Sequence, residues 1–426
     1  MTRIYLTSLL LLILCTSLNA QNKDWLTPVS PSEVKYSSET VEKLENYIQK
    51  AVENKVIPGG TFIIAKNGRT VLNKSFGQVN DQRAYKNDDI YRIASMTKAI
   101  TCVSIMQLVD KGLIDLDAPV SRYIPAFKQT TVLDKFDPAD SSFTSIPKAK
   151  ELTIRNLMTH TSGIVYGSFN PGKLMAVYDK YDMNVGFSHP EWSNEEWMNR
   201  LAEVPLAHQP GARFSYGLNM DVLGHIIEVV SGQSLDVYFN ENIFEPIGMN
   251  DTYFYLPKDK FDRLTPVMSN VNGTFYDVAQ FGQGDLVNYP MQGPRDFFAG
   301  GAGLSSTAID YTIFIETLVE GGGKLLSSDA LKLMTSDQMP LVINDYENYP
   351  KNPDGSFCLG FTLYQDGPNK RSPKSAGTYE WGGYFNTKFF IDPKEQLVFT
   401  GMTQIAGFQD NQFWNELYAI IYEGIE

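Results

Sequence analysis

Strand-forming runs occupy the two ends of this chain, and helical patterns fill the long stretch between them. Near the start, Thr61-Phe62-Ile63-Ile64-Ala65 and Thr70-Val71-Leu72 flank Lys66-Asn67-Gly68-Arg69. An Asn-Gly between two apolar runs is a strong hairpin signal. Near the end, residues 357–364, 387–391 and 397–402 are β-branched or aromatic runs bounded by Gly, Pro and Asp. Terminal strand sets that share one sheet predict a single α+β body. Helices should flank that sheet. Residues 38–56 place Val41, Leu44, Ile48, Ala51 and Val52 at spacings of three and four before Pro58-Gly59-Gly60 breaks the pattern, and residues 411–422 close the chain with another helix. Between them, helical patterns at 152–160, 194–202 and 220–231 alternate with irregular stretches, and Gly232, Pro246 and Gly248 punctuate the region's end. The expected organisation is an antiparallel sheet flanked by helices, built from about 21–115 and 300–426, with a mainly helical subdomain over about 116–299 inserted into it. No solenoid or propeller repeat is present.

The first 20 residues stand apart from this body. Met1-Thr2-Arg3 is a short positive start, residues 4–14 are almost wholly apolar, and Leu18-Asn19-Ala20 is a small-residue exit before Gln21. That is a secretory signal peptide, too short to span a bilayer comfortably. Cys15 raises a lipoprotein alternative, but Leu14 before it is not the small residue such processing needs. A protein exported to the periplasm or the medium, with no stable membrane span, is the expectation. A formal net charge of -13 without any Lys/Arg-rich run argues against nucleic acid or an anionic membrane surface as partner. Export permits a disulfide, yet the two cysteines beyond the leader, Cys102 and Cys358, do not make a framework. Cys102 lies in an apolar helical run and reads as a small buried hydrophobe.

The chemistry centres on Tyr91-Arg92-Ile93-Ala94-Ser95-Met96-Thr97-Lys98-Ala99-Ile100, where an apolar strand-like run becomes a helix expected to extend to Lys111 and end at Gly112. Residues three apart share a helix face, so the Ser95 hydroxyl and the Lys98 amine can meet. An amine of lowered pKa can then take the hydroxyl's proton. Ser-x-x-Lys alone is weak, since an N-cap serine beside a surface lysine has the same spacing. The chain contains three copies. Ser32–Lys35 lies in a Pro-flanked loop, and Ser145–Lys148 is interrupted by Pro147. Only Ser95 stands at a strand-to-helix junction, where backbone N–H groups of a helix N-terminus are at hand.

The residues around these motifs extend the pattern. Lys111-Gly112-Leu113-Ile114-Asp115-Leu116-Asp117-Ala118-Pro119-Val120 is followed by Leu152-Thr153-Ile154-Arg155-Asn156-Leu157-Met158-Thr159-His160-Thr161-Ser162-Gly163. Then come Pro210-Gly211-Ala212-Arg213-Phe214-Ser215-Tyr216, Asp221-Val222-Leu223-Gly224, Gly300-Gly301-Ala302-Gly303-Leu304-Ser305-Ser306-Thr307 and Tyr379-Glu380-Trp381-Gly382-Gly383. With Ser95-Met96-Thr97-Lys98, these ordered blocks resemble the serine hydrolases that group class C β-lactamases, penicillin-recognising peptidases and family VIII carboxylesterases. The resemblance implies a β-lactamase/transpeptidase-like fold, no cofactor and no metal. It also implies Ser95 as nucleophile and Lys98 with a tyrosine as proton-transfer groups.

That tyrosine usually stands in Tyr-x-Asn. Tyr238-Phe239-Asn240, Tyr346-Glu347-Asn348 and Tyr384-Phe385-Asn386 are literal copies outside the family's context. The matching position is Tyr216-Gly217-Leu218-Asn219, where leucine replaces the asparagine and Asn219 follows one place later. Tyr216 is therefore the expected functional tyrosine, with Asn219 a candidate substrate contact. Where the β-lactamase branch has Lys-Thr-Gly, this chain has Trp381-Gly382-Gly383, as the esterases do. Lysine and threonine would bind a substrate carboxylate, whereas tryptophan makes an apolar wall suited to an acyl or alcohol group. The glycines let the strand backbone approach the substrate. By resemblance, the Ser95 and Tyr384 amides form the oxyanion hole.

The expected activity is cleavage of a small ester through a Ser95 acyl-enzyme. Hydrolysis of a β-lactam or a D-amino-acid peptide is the alternative, for which Arg371, Lys374 or Lys388 could supply the missing cation. Acyl transfer and a non-catalytic binding role are further alternatives. Gly-x-Ser-x-Gly is absent, and the four histidines (His160, His189, His208 and His225) include no His-Glu-x-x-His. His160 is expected to hold a loop beneath the site.

Overall fold

The computed structural model describes residues 27–80, 83–183, 187, 192–281, 288–293, 295–352, 355–367, 372–407 and 411–426. The expected leader, residues 1–20, lies outside them. The chain begins with helix α1 (Ser38–Glu53), whose N-cap Ser37 side chain accepts from the Thr40 N–H. β1 (Gly59–Lys66) and β2 (Arg69–Asn80) follow, joined through Asn67-Gly68 as the turn signal predicts. β3 (Arg83–Ala84) and β4 (Ile90–Arg92) lead into α2 (Thr97–Asp110).

The middle of the chain holds α3 (Ile154–Met158), α4 (Lys173–Lys180), α5 (Asn194–Glu203) and α6 (Asn219–Ser231). It is less uniformly helical than expected. The hairpins β5–β6 (Thr131–Phe136, Phe143–Pro147) and β7–β8 (Met268–Val271, Thr274–Asp277) also lie there. β6 is mostly exposed and β5 only partly buried, so neither carries the clean apolar alternation that announces a strand.

The C-terminal part contributes β9 (Ser305–Thr307), a helix Ala308–Val319, β10 (Gly355–Phe357), β11 (Thr362–Tyr364), β12 (Tyr379–Gly382), β13 (Thr387–Asp392), β14 (Leu397–Met402) and a helix Asn411–Glu423. The single strand expected over 357–364 is two short ones. Cys358 N–H bonds back to Phe361 O, and the chain reverses between them.

Eight strands form one antiparallel sheet in the order β10-β11-β12-β13-β14-β1-β2-β3. Thr61 of β1 stands opposite Met402 of β14 and Lys66 opposite Leu397, so the two ends of the chain close the sheet as the strand signals predict. Side chains alternate between faces. Phe62, Ile64, Phe390 and Phe399 pack with Leu44 and Ile48 of α1 and with Trp414, Leu417 and Ile421 of the C-terminal helix. Ile63, Ala65, Phe389 and Ile391 belong to the larger core that holds α2, α6 and the helix Ala308–Val319. α2 is buried from Thr97 through Leu108 on every side, which fixes its first turn, and hence Ser95, against the sheet. No helix among the described residues is long and apolar enough to cross a membrane. Cys102 and Cys358 are buried and unbridged.

Candidate active site

β4 pairs with β9 so that Arg92 stands opposite Ser305, and the chain then turns sharply into α2. Ala94 holds φ at +42°, a conformation a non-glycine residue keeps only when its surroundings impose it. Ile93 N–H donates to Leu304 O at 3.0 Å, and Arg92 N–H to Gln404 Oε1 at 2.7 Å. Leu304 N–H donates to Thr97 Oγ1 at 3.0 Å, and Tyr311 Oη to Met96 O at 2.9 Å. The strained turn is thereby clamped on both sides, and it presents Ser95 to a cavity of 720 Å³.

Lys98 follows one turn later and is almost wholly buried. Its amine reaches Ser95 Oγ at 3.2 Å, Tyr166 Oη at 3.2 Å and Gly301 O at 2.6 Å, so each of an ammonium's three protons has an acceptor. Tyr216 Oη donates to Ser95 Oγ at 2.6 Å, and its ring centroid lies 4.8 Å from Lys98 Nζ, within cation–π range. Ser95, Lys98 and Tyr216, three residues the sequence singled out, are in mutual contact.

Two residues that sequence reasoning missed complete the surroundings of Lys98. Tyr166 shares its hydroxyl with the amine, and burial pushes that phenol's pKa well up, with Asp221 and Tyr216 adding to the effect. Asp221 Oδ1 accepts from Gly301 N–H at 3.0 Å, placing a buried carboxyl behind the very residue whose carbonyl takes a Lys98 proton. Burial raises Asp221 to about 6, against the pull of Lys98 and the Gly301 N–H. A Cβ on Gly301 would lie 2.4 Å from Asp221 Oδ2, so the glycine permits this contact. Tyr166 carries no motif spacing. The Asp221 block and the glycine run at 300–303 were visible in the sequence, but nothing there tied either to Lys98.

His160 lies beneath the site, as expected. It is fully buried at φ +53°, with its ring centroid 4.9 Å from Tyr216 and stacked 6.4 Å from Trp381. Burial, with Lys98 nearby, lowers its pKa and keeps the imidazole neutral. Asn219 corrects an expectation. Its side chain is fully buried, donating to His160 Nδ1 at 2.8 Å and Ile164 O at 3.3 Å and accepting from Ser162 Oγ. It is absent from the cavity lining. Asn219 holds the His160 loop rather than a substrate, because the one-place offset from Tyr216 puts it on the inward side of the first turn of α6.

The Trp381-Gly382-Gly383 segment lines the cavity with Ser95, Tyr216 and Tyr384. Trp381 packs against Tyr216 at 5.6 Å and Phe357 at 5.6 Å, the apolar wall expected of it. Gly383 has a more specific reason to be glycine than approach to substrate. A Cβ there would lie 2.4 Å from Ile93 O and 2.2 Å from Thr387 Oγ1. The missing side chain lets the end of β12 close on the turn that carries Ser95. Tyr384, the next residue, lines the cavity together with Ser95. Among the described residues neither the Ser95 nor the Tyr384 N–H donates a hydrogen bond. Phe169 of the middle region stacks on the Tyr384 ring, centroids 6.2 Å apart and planes at 13°, with both rings half-exposed at the cavity.

The remaining candidates separate cleanly. Ser32 and Lys35 are exposed, and Lys148 donates to Lys128 O at 2.7 Å, so neither decoy pair forms a site. Arg371 lies outside the described residues. Lys374 is paired with Glu380, and Lys388 lines the same cavity as Ser95. No group of three or more His, Cys, Asp or Glu able to hold a metal occurs among the described residues.

Comparison with known proteins places this geometry in context. Residues 44–423 match the family model described as Beta-lactamase. Esterase EstB of Burkholderia gladioli is 26% identical over 361 residues, covering 82% of this chain and 86% of that protein. Monacolin J acid methylbutanoyltransferase of Aspergillus terreus is 28% identical over 397 residues, covering 88% and 93%. The structure of simvastatin synthase (LovD) from Aspergillus terreus superimposes with a TM-score of 0.75 at 26% identity, over 91% of this chain and 98% of that one.

Proposed function

This chain belongs to the Beta-lactamase family, and from that membership we propose that it is an exported serine hydrolase that cleaves small carboxylic esters through an acyl-enzyme on Ser95. Its fold is the β-lactamase/transpeptidase-like one. The observation that carries the proposal is the triangle in which Lys98 Nζ and Tyr216 Oη both reach Ser95 Oγ, at 3.2 and 2.6 Å, beneath an aromatic wall at Trp381. Relatives named as an esterase and as an acyltransferase support the same chemistry.

In the proposed cycle, Ser95 Oγ attacks the ester carbonyl carbon and passes its proton into the Lys98–Tyr216 pair. The carbonyl oxygen becomes an oxyanion facing the Ser95 and Tyr384 N–H groups, where removing one such donor typically costs about 10²–10³ in rate. Collapse breaks the bond to the alkoxide, which takes a proton from Tyr216 and leaves as the alcohol. Water then attacks the Ser95 ester, its proton enters the same pair, and the carboxylic acid departs as Ser95 regains its proton.

Turnover of p-nitrophenyl butyrate by the protein, and its loss in Ser95→Ala, tests the assignment. Labelling by a fluorophosphonate, lost in Ser95→Ala, tests the covalent step. No labelling would return the chain to a non-catalytic binding role. A chromogenic cephalosporin opened as fast as the ester would shift the substrate to β-lactams. A second reading, acyl transfer to an alcohol in place of water, is favoured by the methylbutanoyltransferase relative. Ester product accumulating with an added acceptor alcohol distinguishes it from hydrolysis. Export is tested by the N-terminus of the protein recovered from culture medium or periplasm, which should begin at Gln21.

A further inference from the structure

The cavity at Ser95 does not end at Trp381. It continues past the end of β12 to the other face of the sheet, where Lys374, Glu380, Lys388, Asn411, Asn415 and Tyr418 line it. This second lobe differs in character from the first. Glu380 and Gly382 alternate with Trp381 along β12, so they face away from it. Gly382 stands directly opposite Lys388 of β13, and paired residues in an antiparallel sheet share a face. A Cβ on Gly382 would lie 3.0 Å from Lys388 Nζ. The lysine therefore lies along the floor of the lobe under Gly382, and the space a side chain would fill there is left to it.

Among the described residues that line the lobe, the charges do not cancel. Lys374 binds Glu380 directly, and its amine sits 4.1 Å from the Tyr418 ring centroid, so that cation and that anion satisfy each other. Lys388 is left over. Among the described residues it makes no hydrogen bond or ion pair, and although Glu380 acts on it through space, burial lowers its pKa from the usual lysine value. A half-buried ammonium without a hydrogen-bonded partner gains when an anion arrives. The opposite wall is the first turn of the helix Asn411–Glu423, which contributes the Asn411 and Asn415 side chains and the positive end of a 13-residue helix. Lys388 and the helix end favour a negative group, and Glu380, the one carboxylate among the described lining residues, is held by Lys374.

We propose that this lobe is a carboxylate subsite, with Lys388 as its specificity-determining cation, and that the physiological ester carries a carboxylate. This rests on the ester-hydrolase reading of Ser95. The geometry also limits the length of the substrate. Gly382 and Tyr384 are two residues apart along the chain, and since β12 ends at Gly382 and a turn follows, they are at most roughly 7 Å apart, so the carboxylate lies a few bonds from the scissile carbonyl. Half-esters of short dicarboxylic acids and esters of short hydroxy acids meet that requirement.

Two matched substrate pairs test it. In the first, the p-nitrophenyl half-ester of glutaric acid is compared with p-nitrophenyl pentanoate, which puts the charge on the acyl side. In the second, 4-acetoxybenzoate is compared with phenyl acetate, which puts it on the alcohol side. The readout is the charged-to-neutral ratio of kcat/KM. A charge-assisted contact predicts a ratio about 10- to 100-fold higher in one pair for wild type than for Lys388→Met, with Lys388→Arg retaining it. Ratios unchanged by Lys388→Met in both pairs overturn the subsite while leaving the esterase standing. Titration calorimetry with monomethyl glutarate needs no turnover. Affinity weakened about tenfold or more in Lys388→Met supports the subsite even if every ester is refused, an outcome that would instead retire the esterase reading. Equal affinity, or no binding by wild type, overturns it.

Discussion

Tyr216 Oη donates a 2.6 Å hydrogen bond to Ser95 Oγ across 121 residues of chain. The same ring is packed between His160, at 4.9 Å, and Trp381, at 5.6 Å. Position and chemistry are thus separable in this residue, because the ring is held by stacking and the hydroxyl alone touches the nucleophile. Tyr216→Phe keeps the ring and removes the proton-transfer group. We expect kcat for p-nitrophenyl butyrate to fall about 10²–10⁴-fold, the range for a positioned acid–base group. KM and the thermal midpoint should move little, because a hydroxyl on the cavity wall leaves no buried polar group unpaired when it is lost. A large fall in the midpoint with kcat preserved would make Tyr216 a structural residue.

Asp221 supplies a pH dependence. Its carboxyl, raised to about 6 by burial, reaches Lys98 through Gly301, which donates to one and accepts from the other. Above that pH the carboxylate complements the Lys98 amine. As the pH falls through about 6 the carboxyl takes a proton and the complement is lost. The pH profile of kcat/KM should therefore show an acid limb near 6. Asp221→Asn, which copies the protonated shape, should run at a lower plateau without that limb. A limb at the same pH in the variant would assign it to another group.

Much of this is legible in the amino-acid sequence. The Asn67-Gly68 turn, the terminal strands and the Ser95–Lys98 pair each rest on local chemistry, namely turn conformation, side-chain period and helix-face spacing. What escaped depends on contacts between distant segments or on a single step of register. Tyr166 meets Lys98 across 68 residues, and nothing in Ile164-Val165-Tyr166 marks its hydroxyl for that amine. Asn219 stands one position beyond the family's asparagine, and on a helix one position turns a side chain by about 100°, away from the cavity. α2 is buried all round, so the placing of its apolar residues does not orient Ser95. The charged lobe at Lys388 was invisible because it is assembled from two strands, a loop and the C-terminal helix.

The two cysteines beyond the expected leader offer a simple test of the core. Cys102 and Cys358 are buried and unbridged, and burial pushes both thiols' pKa up. A thiol that is neither exposed nor ionised reacts slowly. A chain begun at Gln21 should show no fast-reacting thiol toward Ellman's reagent when native. Denaturation without reductant should release two. Fewer than two would mean a bridge that the structure does not contain.

Glu316 sets a stability prediction whose sign is fixed by burial. It lies on the helix Ala308–Val319, 5% exposed, with neither carboxylate oxygen hydrogen-bonded. Burial, with Glu320 adding to it, raises its carboxyl to about 8 from the usual 4.5. Below pH 4.5 both the folded and unfolded chains hold this proton, and the residue has no effect on the balance. Between 4.5 and about 8 the unfolded chain releases the proton and the folded chain keeps it, so stability falls as pH rises, and above about 8 the loss is complete. Glu316→Gln removes the titration and keeps the shape. The variant should be more stable than wild type at pH 8 by an amount on the order of 4 kcal/mol, from about 1.4 kcal/mol for each pH unit between 4.5 and about 8. The advantage should shrink towards pH 5. Urea unfolding midpoints at pH 5, 6.5 and 8 measure this directly, and a difference that does not grow with pH would show that Glu316 is ionised in the folded protein.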